Sequence, residues 1–100
     1  MKRLEKKFTR SNFWHSQLKR TGRVAIYERG LINSDYSHYE VIKISSHNGY
    51  NVGTQFITAT ETYPGASLWG IQGWTYNTLE RAEKCFKEAC NRFNNSKVKV

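Results

Sequence analysis

The most regular pattern of hydrophobic and polar positions lies near the C-terminal end of the chain. Its apolar residues are spaced so that they fall on one stripe of a helix with 3.6 residues per turn. They are Leu79, Ala82, Phe86, Ala89, Cys90 and Phe93. Asn77 is placed to cap the first turn, and Glu80 can complete a capping box with it. The pattern predicts an amphipathic helix that must bury one side against the rest of the chain.

Shorter alternating patterns upstream predict β-strands. Residues 23–29 place Val24 and Ile26 on one face and Ala25 and Tyr27 on the other, which is the period of two expected of a strand. A second strand is predicted over residues 38–45, with Ile42 and Ile44 on one face and Tyr39, Val41 and Lys43 on the other.

The following segment predicts a hairpin and a third strand. Asn48 and Gly49 tolerate the positive φ angles of a tight turn, and residues 52–62 would form the returning strand. Residues 67–75 fit either a short fourth strand or an irregular aromatic loop. The sequence therefore predicts an α+β fold, in which a three- or four-stranded antiparallel meander sheet carries the C-terminal amphipathic helix on one face.

The N-terminal residues are predicted to form a basic, aromatic and partly helical arm. Apolar residues four apart, such as Trp14 and Leu18, suit a short helix, and Ser11 or Asn12 is placed to cap it. The predicted organisation is an arm over residues 1–22, one domain over residues 23–94 and a tail over residues 95–100.

Positive charge is concentrated at the ends of the chain. The formal net charge is +8; residues 1–23 hold eight Lys and Arg against one Glu, whereas residues 24–96 hold six basic and seven acidic residues. Such a basic leader can neutralise nucleic-acid phosphates without reading sequence, and aromatic rings among the cations can stack on unpaired bases. A tail that aids solubility is the alternative interpretation.

The sequence indicates no disulfide, metal site or catalytic site. Cys85 and Cys90 lie roughly 140° apart around the predicted helix, too far apart for a disulfide. The histidines have no metal-ligand spacing, and no nucleophile or phosphate-loop motif is present, which predicts a protein that is not an enzyme and has no metal or cofactor. The strand glutamates are expected on solvent-facing positions; they are Glu28, Glu40 and Glu61.

One stretch resembles a known family. A β-meander followed by Trp69-Gly70-x-x-Gly73 and a helix with Ala82 and Phe86 is similar to the WGR domain, a small DNA-binding sheet domain. The resemblance implies that Trp69 and Trp74 lie near the nucleic-acid end of the molecule. The alternative is that these tryptophans anchor the helix to the sheet. The chain is also similar in style to small phage or plasmid proteins.

Two functions are compatible with these patterns. The first is a nucleic-acid-binding module, for DNA or RNA, whose predicted contact residues are Lys6, Lys7, Phe8, Arg10, Trp14, Lys19, Arg20, Arg23, Trp69 and Trp74. The second is a protein-interaction module, such as a phage- or plasmid-encoded inhibitor of a host defence complex, that uses aromatic residues as hot spots.

The surroundings of the protein are predicted from the same patterns. No apolar run approaches transmembrane length, and the basic N-terminus is not followed by the apolar core of a signal peptide. We therefore expect a cytoplasmic protein with no membrane contact. A sheet face that carries Tyr27 and Tyr39 is also compatible with a homodimer.

Overall fold

The computed structural model describes residues 2–94, which form nine strands, one 3-10 helix and one α-helix. The strands are β1 (Lys7–Arg10), β2 (Phe13–Thr21), β3 (Val24–Leu31), β4 (Ser37–Lys43), β5 (Ser45–His47), β6 (Tyr50–Val52), β7 (Gln55–Ile57), β8 (Thr60–Thr62) and β9 (Gly73–Tyr76). The 3-10 helix is Ala66–Leu68, and helix α1 is Leu79–Asn94. The predicted tail over residues 95–100 lies outside the described residues.

A five-stranded antiparallel sheet forms the centre of the molecule. Its strand order is β1-β2-β3-β4-β9, and α1 packs on β3, β4 and β9. The prediction of an α+β fold with an antiparallel meander and a C-terminal helix is confirmed. No helix among residues 2–94 combines the length and the apolar character needed to cross a bilayer.

The prediction of a helical N-terminal arm is wrong. Residues 7–21 form the β1–β2 hairpin, which pairs with β3 as an integral part of the sheet. Ser11 and Asn12 have φ angles of 54° and 67°, so they form the two-residue turn of the hairpin rather than a helix cap. Two successive left-handed residues match the twist of the flanking strands, and this local preference outweighs the weak helical spacing.

The helix covers one face of the central strands. Val24, Ile26 and Val41 form a core cluster with Ala82, Phe86 and other residues of α1. The helix begins one residue later than the predicted cap implies, because the Thr78 hydroxyl accepts a hydrogen bond from the Arg81 amide at 3.3 Å. Thr78, not Asn77, is therefore the N-cap residue.

The opposite face is covered by extended chain. Ala25, Tyr27, Ile42 and Ile44 form a second cluster, and the side chains packed on it are Leu4, Phe8, Tyr63 and Trp69. Residues 2–4 are held in place beside β8, since the Lys2 amide donates to the Ala59 carbonyl at 3.0 Å and the Lys2 carbonyl accepts from the Glu61 amide at 2.8 Å. Both faces of β3 and β4 are consequently buried.

The prediction of a third sheet strand over residues 52–62 is wrong. This region folds back on itself as two small sheets, β5 with β8 and β6 with β7, and the tight turn falls at Gly53 and Thr54. The place beside β4 belongs to β9, where Trp74 pairs with Val41 and Tyr76 with Tyr39. The position beside β4 needs residues that pack against the helix-side core, as Trp74 does, and the largely exposed β6 and β7 do not offer them.

The packing of α1 generates a direct test. Phe86 is 8% exposed at the centre of the helix-side core, so we expect Phe86→Ala to lower the free energy of unfolding by about 3–5 kcal/mol through lost burial and a cavity. Urea unfolding followed by circular dichroism measures this. The exposed neighbour Lys87 is the control, and Lys87→Ala should stay within about 0.5 kcal/mol of wild type. A similarly small change for Phe86→Ala would contradict the described packing.

Candidate functional site

The predicted contact residues are divided between the β1–β2 hairpin, the interior and the two faces of the sheet. We call residues 2–10 the basic segment, since it carries five cations and one carboxylate, on Glu5. In the described part of the chain, no carboxylate lies within 4.0 Å of these cations. They are Lys2, Arg3, Lys6, Lys7 and Arg10. Arg23, at the start of β3, is exposed as well.

Two other predicted cations, Arg20 and Lys19, form ion pairs with glutamates. Arg20 forms a bidentate pair with Glu61, with nitrogen–oxygen distances of 2.9 and 2.8 Å, and both side chains are mostly buried. Hydrogen bonding to Arg20 lowers the pKa of Glu61 to about 2, and the same contact raises the pKa of Arg20. Lys19 lies 3.6 Å from the Glu83 carboxylate at the exposed surface, where such a pair contributes little.

Phe8 is half-buried and packs on the second core cluster. Its ring stacks on His15 at 4.4 Å between centroids and meets Tyr27 and Tyr63 edge-on, each at 5.8 Å. Phe8 therefore forms part of the cover over the second core cluster, whereas the neighbouring cations point outward.

Trp14 is half-buried, with its indole ring over Gly30 of β3. A side chain at its pairing partner Gly30 would collide with the indole ring, so the glycine makes room for the ring. Trp14 also pairs with Thr9, and Lys7 pairs with Ser16 two residues along β2. Because side chains alternate along a strand, Lys7, Thr9, Trp14 and Ser16 share one face, beside the area that α1 covers.

The other two tryptophans lie on opposite faces of the sheet. Trp69 packs over Gly73 on the second cluster, and its indole nitrogen donates to the Thr75 hydroxyl at 2.9 Å. Trp74 faces the helix, with its ring 6.4 Å from that of Phe93. Trp69 lines a cavity together with Arg10, one of the predicted cations.

A buried polar network, which the sequence analysis missed, lies beneath this cavity. Glu40 is 4% exposed, so its expected solvent-facing position is wrong. One of its oxygens accepts the Tyr63 hydroxyl, and the other lies 3.1 Å from His38 Nε2 and 3.5 Å from Arg29 Nη1. These partners stabilise a carboxylate that would otherwise be costly to bury. Burial and the charge of Glu40 raise the pKa of Tyr63, which keeps its hydroxyl protonated as a donor.

A sequence signal for this network existed. His38 and Glu40 continue the period-two series that leads to Ile42 and Ile44, the face already predicted to be apolar. A glutamate whose position in the alternating pattern falls on a buried face is expected to be buried. Such a carboxylate needs hydrogen-bond or ion-pair partners from other strands. Those partners, Arg29 and Tyr63, come from β3 and from the chain after β8, which local patterns cannot reveal.

His15 completes the interior of this side. It is 5% exposed, and its Nδ1 atom has no hydrogen-bond partner among residues 2–94. Burial, followed by the nearby charge of Arg29, lowers the pKa of the His15 imidazole. The ring is therefore neutral near pH 7 and offers one donor and one acceptor nitrogen.

The cavity above these residues has a volume of about 590 Å³. One side is cationic, with Arg10 and Arg29, and the other is apolar, with Pro64 and Trp69. Ser11, at the hairpin turn, lies on its rim. Nowhere in residues 2–94 do three His, Cys, Asp or Glu side chains come together to hold a metal ion. The lining is suited to an anion with an organic portion.

Comparison of the chain with protein-family models, curated proteins and solved structures finds no match. The resemblance to the WGR domain stays a prediction.

The Arg20–Glu61 pair generates a pH prediction. The ordinary pKa of Glu61, 4.5, falls to about 2 in the fold, so between these values the unfolded state binds a proton that the folded state does not. Stability from this pair is complete above about pH 4.5 and is lost as the pH falls toward 2. We expect a loss on the order of 1 kcal/mol over this range from this pair.

Urea unfolding at several pH values checks this. Glu61→Gln should be less stable than wild type near neutral pH, and the difference should narrow in acid. Glu5→Gln, at an exposed position, is the control and should follow the wild-type pH profile. A constant difference between wild type and Glu61→Gln at all pH values would contradict the prediction.

Proposed function

We propose that the protein is a non-enzymatic, cytoplasmic module that binds single-stranded nucleic acid along its β1–β2 hairpin. The observation that carries the proposal is the basic segment, whose five cations are all exposed and have no carboxylate within 4.0 Å among residues 2–94. Two of them, Lys7 and Arg10, lie on the edge strand β1. Phosphate neutralisation with counterion release supplies affinity to such a surface.

The placement of the helix supports the same surface. Helix α1 packs mainly on β3, β4 and β9 and meets β2 at its C-terminal end, where Lys19 and Thr21 contact the helix. The same face of β1 and of the first half of β2 lies beside the helix. Strand β1 contributes the Lys7 cation and the Thr9 hydroxyl to this surface. Strand β2 contributes the Trp14 indole and the Ser16 hydroxyl. Stacking on an aromatic side chain contributes about 1–3 kcal/mol per base and requires an unpaired base, which favours a single strand.

The hairpin is also tied to the rest of the fold by hydrogen bonds that need no ligand. Arg20 ties the end of β2 to Glu61 on β8, while the amide of Leu4 donates to the same carboxylate at 2.9 Å. A surface that is already ordered loses little conformational entropy on binding. This supports a binding role for the hairpin over that of a mobile solubility tail.

Charge neutralisation on the basic segment tests the proposal. We expect a variant with Arg3, Lys6 and Lys7 changed to Gln to bind a fluorescent single-stranded oligonucleotide more weakly. The slope of log affinity against log salt should fall in magnitude by about 2, since each lost phosphate contact removes about 0.7. Fluorescence anisotropy over a salt series measures both quantities.

A matched variant controls for net charge. Arg81, Lys84 and Lys87 are exposed on α1, and their change to Gln removes the same charge from another surface. This control should keep the wild-type affinity apart from a small uniform effect. Equal losses in the two variants would show that binding is not located on the hairpin and would reject the proposal.

A second candidate function is favoured by the β6–β7 hairpin. Residues 44–60 contain no Asp, Glu, Lys or Arg, and Tyr50, Val52 and Phe56 are 50%, 55% and 61% exposed. A neutral surface of this kind does not attract phosphates, whereas exposed aromatic and aliphatic groups are typical of protein contacts. The partner would be a second copy of the chain or a host protein complex, as a phage- or plasmid-encoded inhibitor requires.

Introducing a charge at this hairpin tests the second function. We expect a stoichiometric protein partner, or a dimer in light scattering, to survive nuclease and high salt and to be lost in Val52→Lys. Thr58→Lys, at an exposed position outside the strands, is the control and should keep the complex. Recovery of nucleic acid alone, or complexes that are indifferent to Val52→Lys, would count against this function.

A further inference from the structure

We propose that the cavity between the β1–β2 turn and Trp69 binds a phosphate monoester that carries a flat organic group, the chemistry of a nucleoside monophosphate. The proposal does not depend on the β1–β2 hairpin binding nucleic acid, because it concerns the opposite face of the sheet. It rests on the arrangement of cations, donors and apolar side chains around one open cavity.

Arg29 is oriented in advance for an anion. Its guanidinium carbon lies 3.7 Å above the centroid of the Phe13 ring, and its Nη1 atom lies 3.5 Å from the Glu40 carboxylate. The first contact fixes the plane of the guanidinium. The second is too long for a strong hydrogen bond, so N–H donors stay available. With 27% of the side chain exposed, these donors are accessible from the cavity.

The carboxylate in the wall does not oppose an anion as strongly as its charge suggests. The two oxygens of Glu40 are directed at Tyr63 and at His38 and Arg29. Its charge is balanced inside the wall by Arg29, while Arg10 adds a second cation at the rim. The charged residues that line the cavity are Arg10, Arg29 and Glu40, so the lining as a whole is net positive.

The directions of the donors favour phosphate over carboxylate. Arg10 belongs to β1, Ser11 to the turn and Arg29 to β3, so they approach the cavity from three places on its wall. A planar carboxylate is satisfied by one guanidinium fork, whereas a tetrahedral phosphate offers three oxygens in different directions. His15, with a nitrogen that lacks a partner, lines the same space.

The opposite wall accommodates the organic group. Pro64 and Trp69 provide apolar surface there, and the hydrogen bond from the Trp69 indole to Thr75 fixes the ring in position. A flat base can pack against such a wall while its phosphate reaches the arginines. The volume of about 590 Å³ lies within the range of small-ligand sites.

Isothermal titration of the full chain with adenosine 5′-monophosphate tests the site. We expect saturable binding at one site, weakened at least about tenfold when adenosine replaces the nucleotide or when Arg29 is changed to Lys. Arg29→Lys keeps the charge but loses the fork and the stacked plane. Arg81→Lys on α1 is the control and should bind as wild type.

A second variant distinguishes loss of binding from loss of folding. Arg10 is exposed at the end of β1, so Arg10→Gln should keep the wild-type melting temperature and still weaken binding. Absence of nucleotide binding, equal affinity for adenosine, preferential binding of benzoate, or wild-type affinity in both arginine variants would each overturn the proposal.

Two further titrations identify the source of the phosphate. Tighter binding of a 5′-phosphorylated than of a 5′-hydroxyl oligonucleotide would assign the site to strand ends, and equal binding would assign it to free nucleotides. The variant with Arg3, Lys6 and Lys7 changed to Gln separates the two proposals. We expect this variant to bind adenosine 5′-monophosphate with wild-type affinity. That result is expected whether or not the three substitutions weaken oligonucleotide binding, so each proposal can fail without the other.

Discussion

The burial of β3 and β4 on both faces is the constraint on which the rest of the structure depends. Val24 and Ile26 point toward α1, while Ala25 and Tyr27 point the other way, and all four are essentially inaccessible to water. The chain has one described α-helix, so the second face must be covered by something else. Residues 2–4 and the chain after β8 supply that cover, which explains why residues 44–62 leave the central sheet before β9 rejoins it.

A cover made of irregular chain brings polar groups into the interior, and Glu40 organises them. Its partners come from β3, from β4 itself and from the segment after β8, so one carboxylate links three parts of the chain. Removing a single partner would leave a buried charge less well satisfied, which is more costly than the loss of a surface pair. The stability of this face and the shape of the cavity above it are therefore coupled.

Local patterns predicted the parts of the fold that local physics decides. The helix stripe and the faces of β3 and β4 follow from their periodicity, and Ala82, Phe86 and Ala89 are buried as that stripe requires. The β1–β2 hairpin was missed because its deciding signal, Ser11 and Asn12 in left-handed conformations, was interpreted as a helix cap. The replacement of residues 52–62 by β9 depends on which segment pairs with the free edge of β4, and no single segment encodes that outcome.

The candidate site was predictable in its charges and not in its geometry. Arg10 and Trp69 were both identified from the sequence, and the fold brings them to one cavity. Arg29 and Tyr63 were not, because each looks ordinary in its own strand or turn, and Glu40 was expected to face solvent although it is in phase with Ile42 and Ile44. Their roles arise from contacts between residues that are distant in the sequence, such as Glu40 and Tyr63.

The position of β1 at the margin of the sheet has a consequence for solubility. An edge strand has unpaired backbone N–H and C=O groups that can pair with a strand of another chain. Charged side chains on the edge strand commonly prevent this. Lys7 and Arg10 lie on that strand. These cations therefore hinder edge-to-edge pairing between copies of the unbound protein. Selection for solubility alone would preserve the same residues.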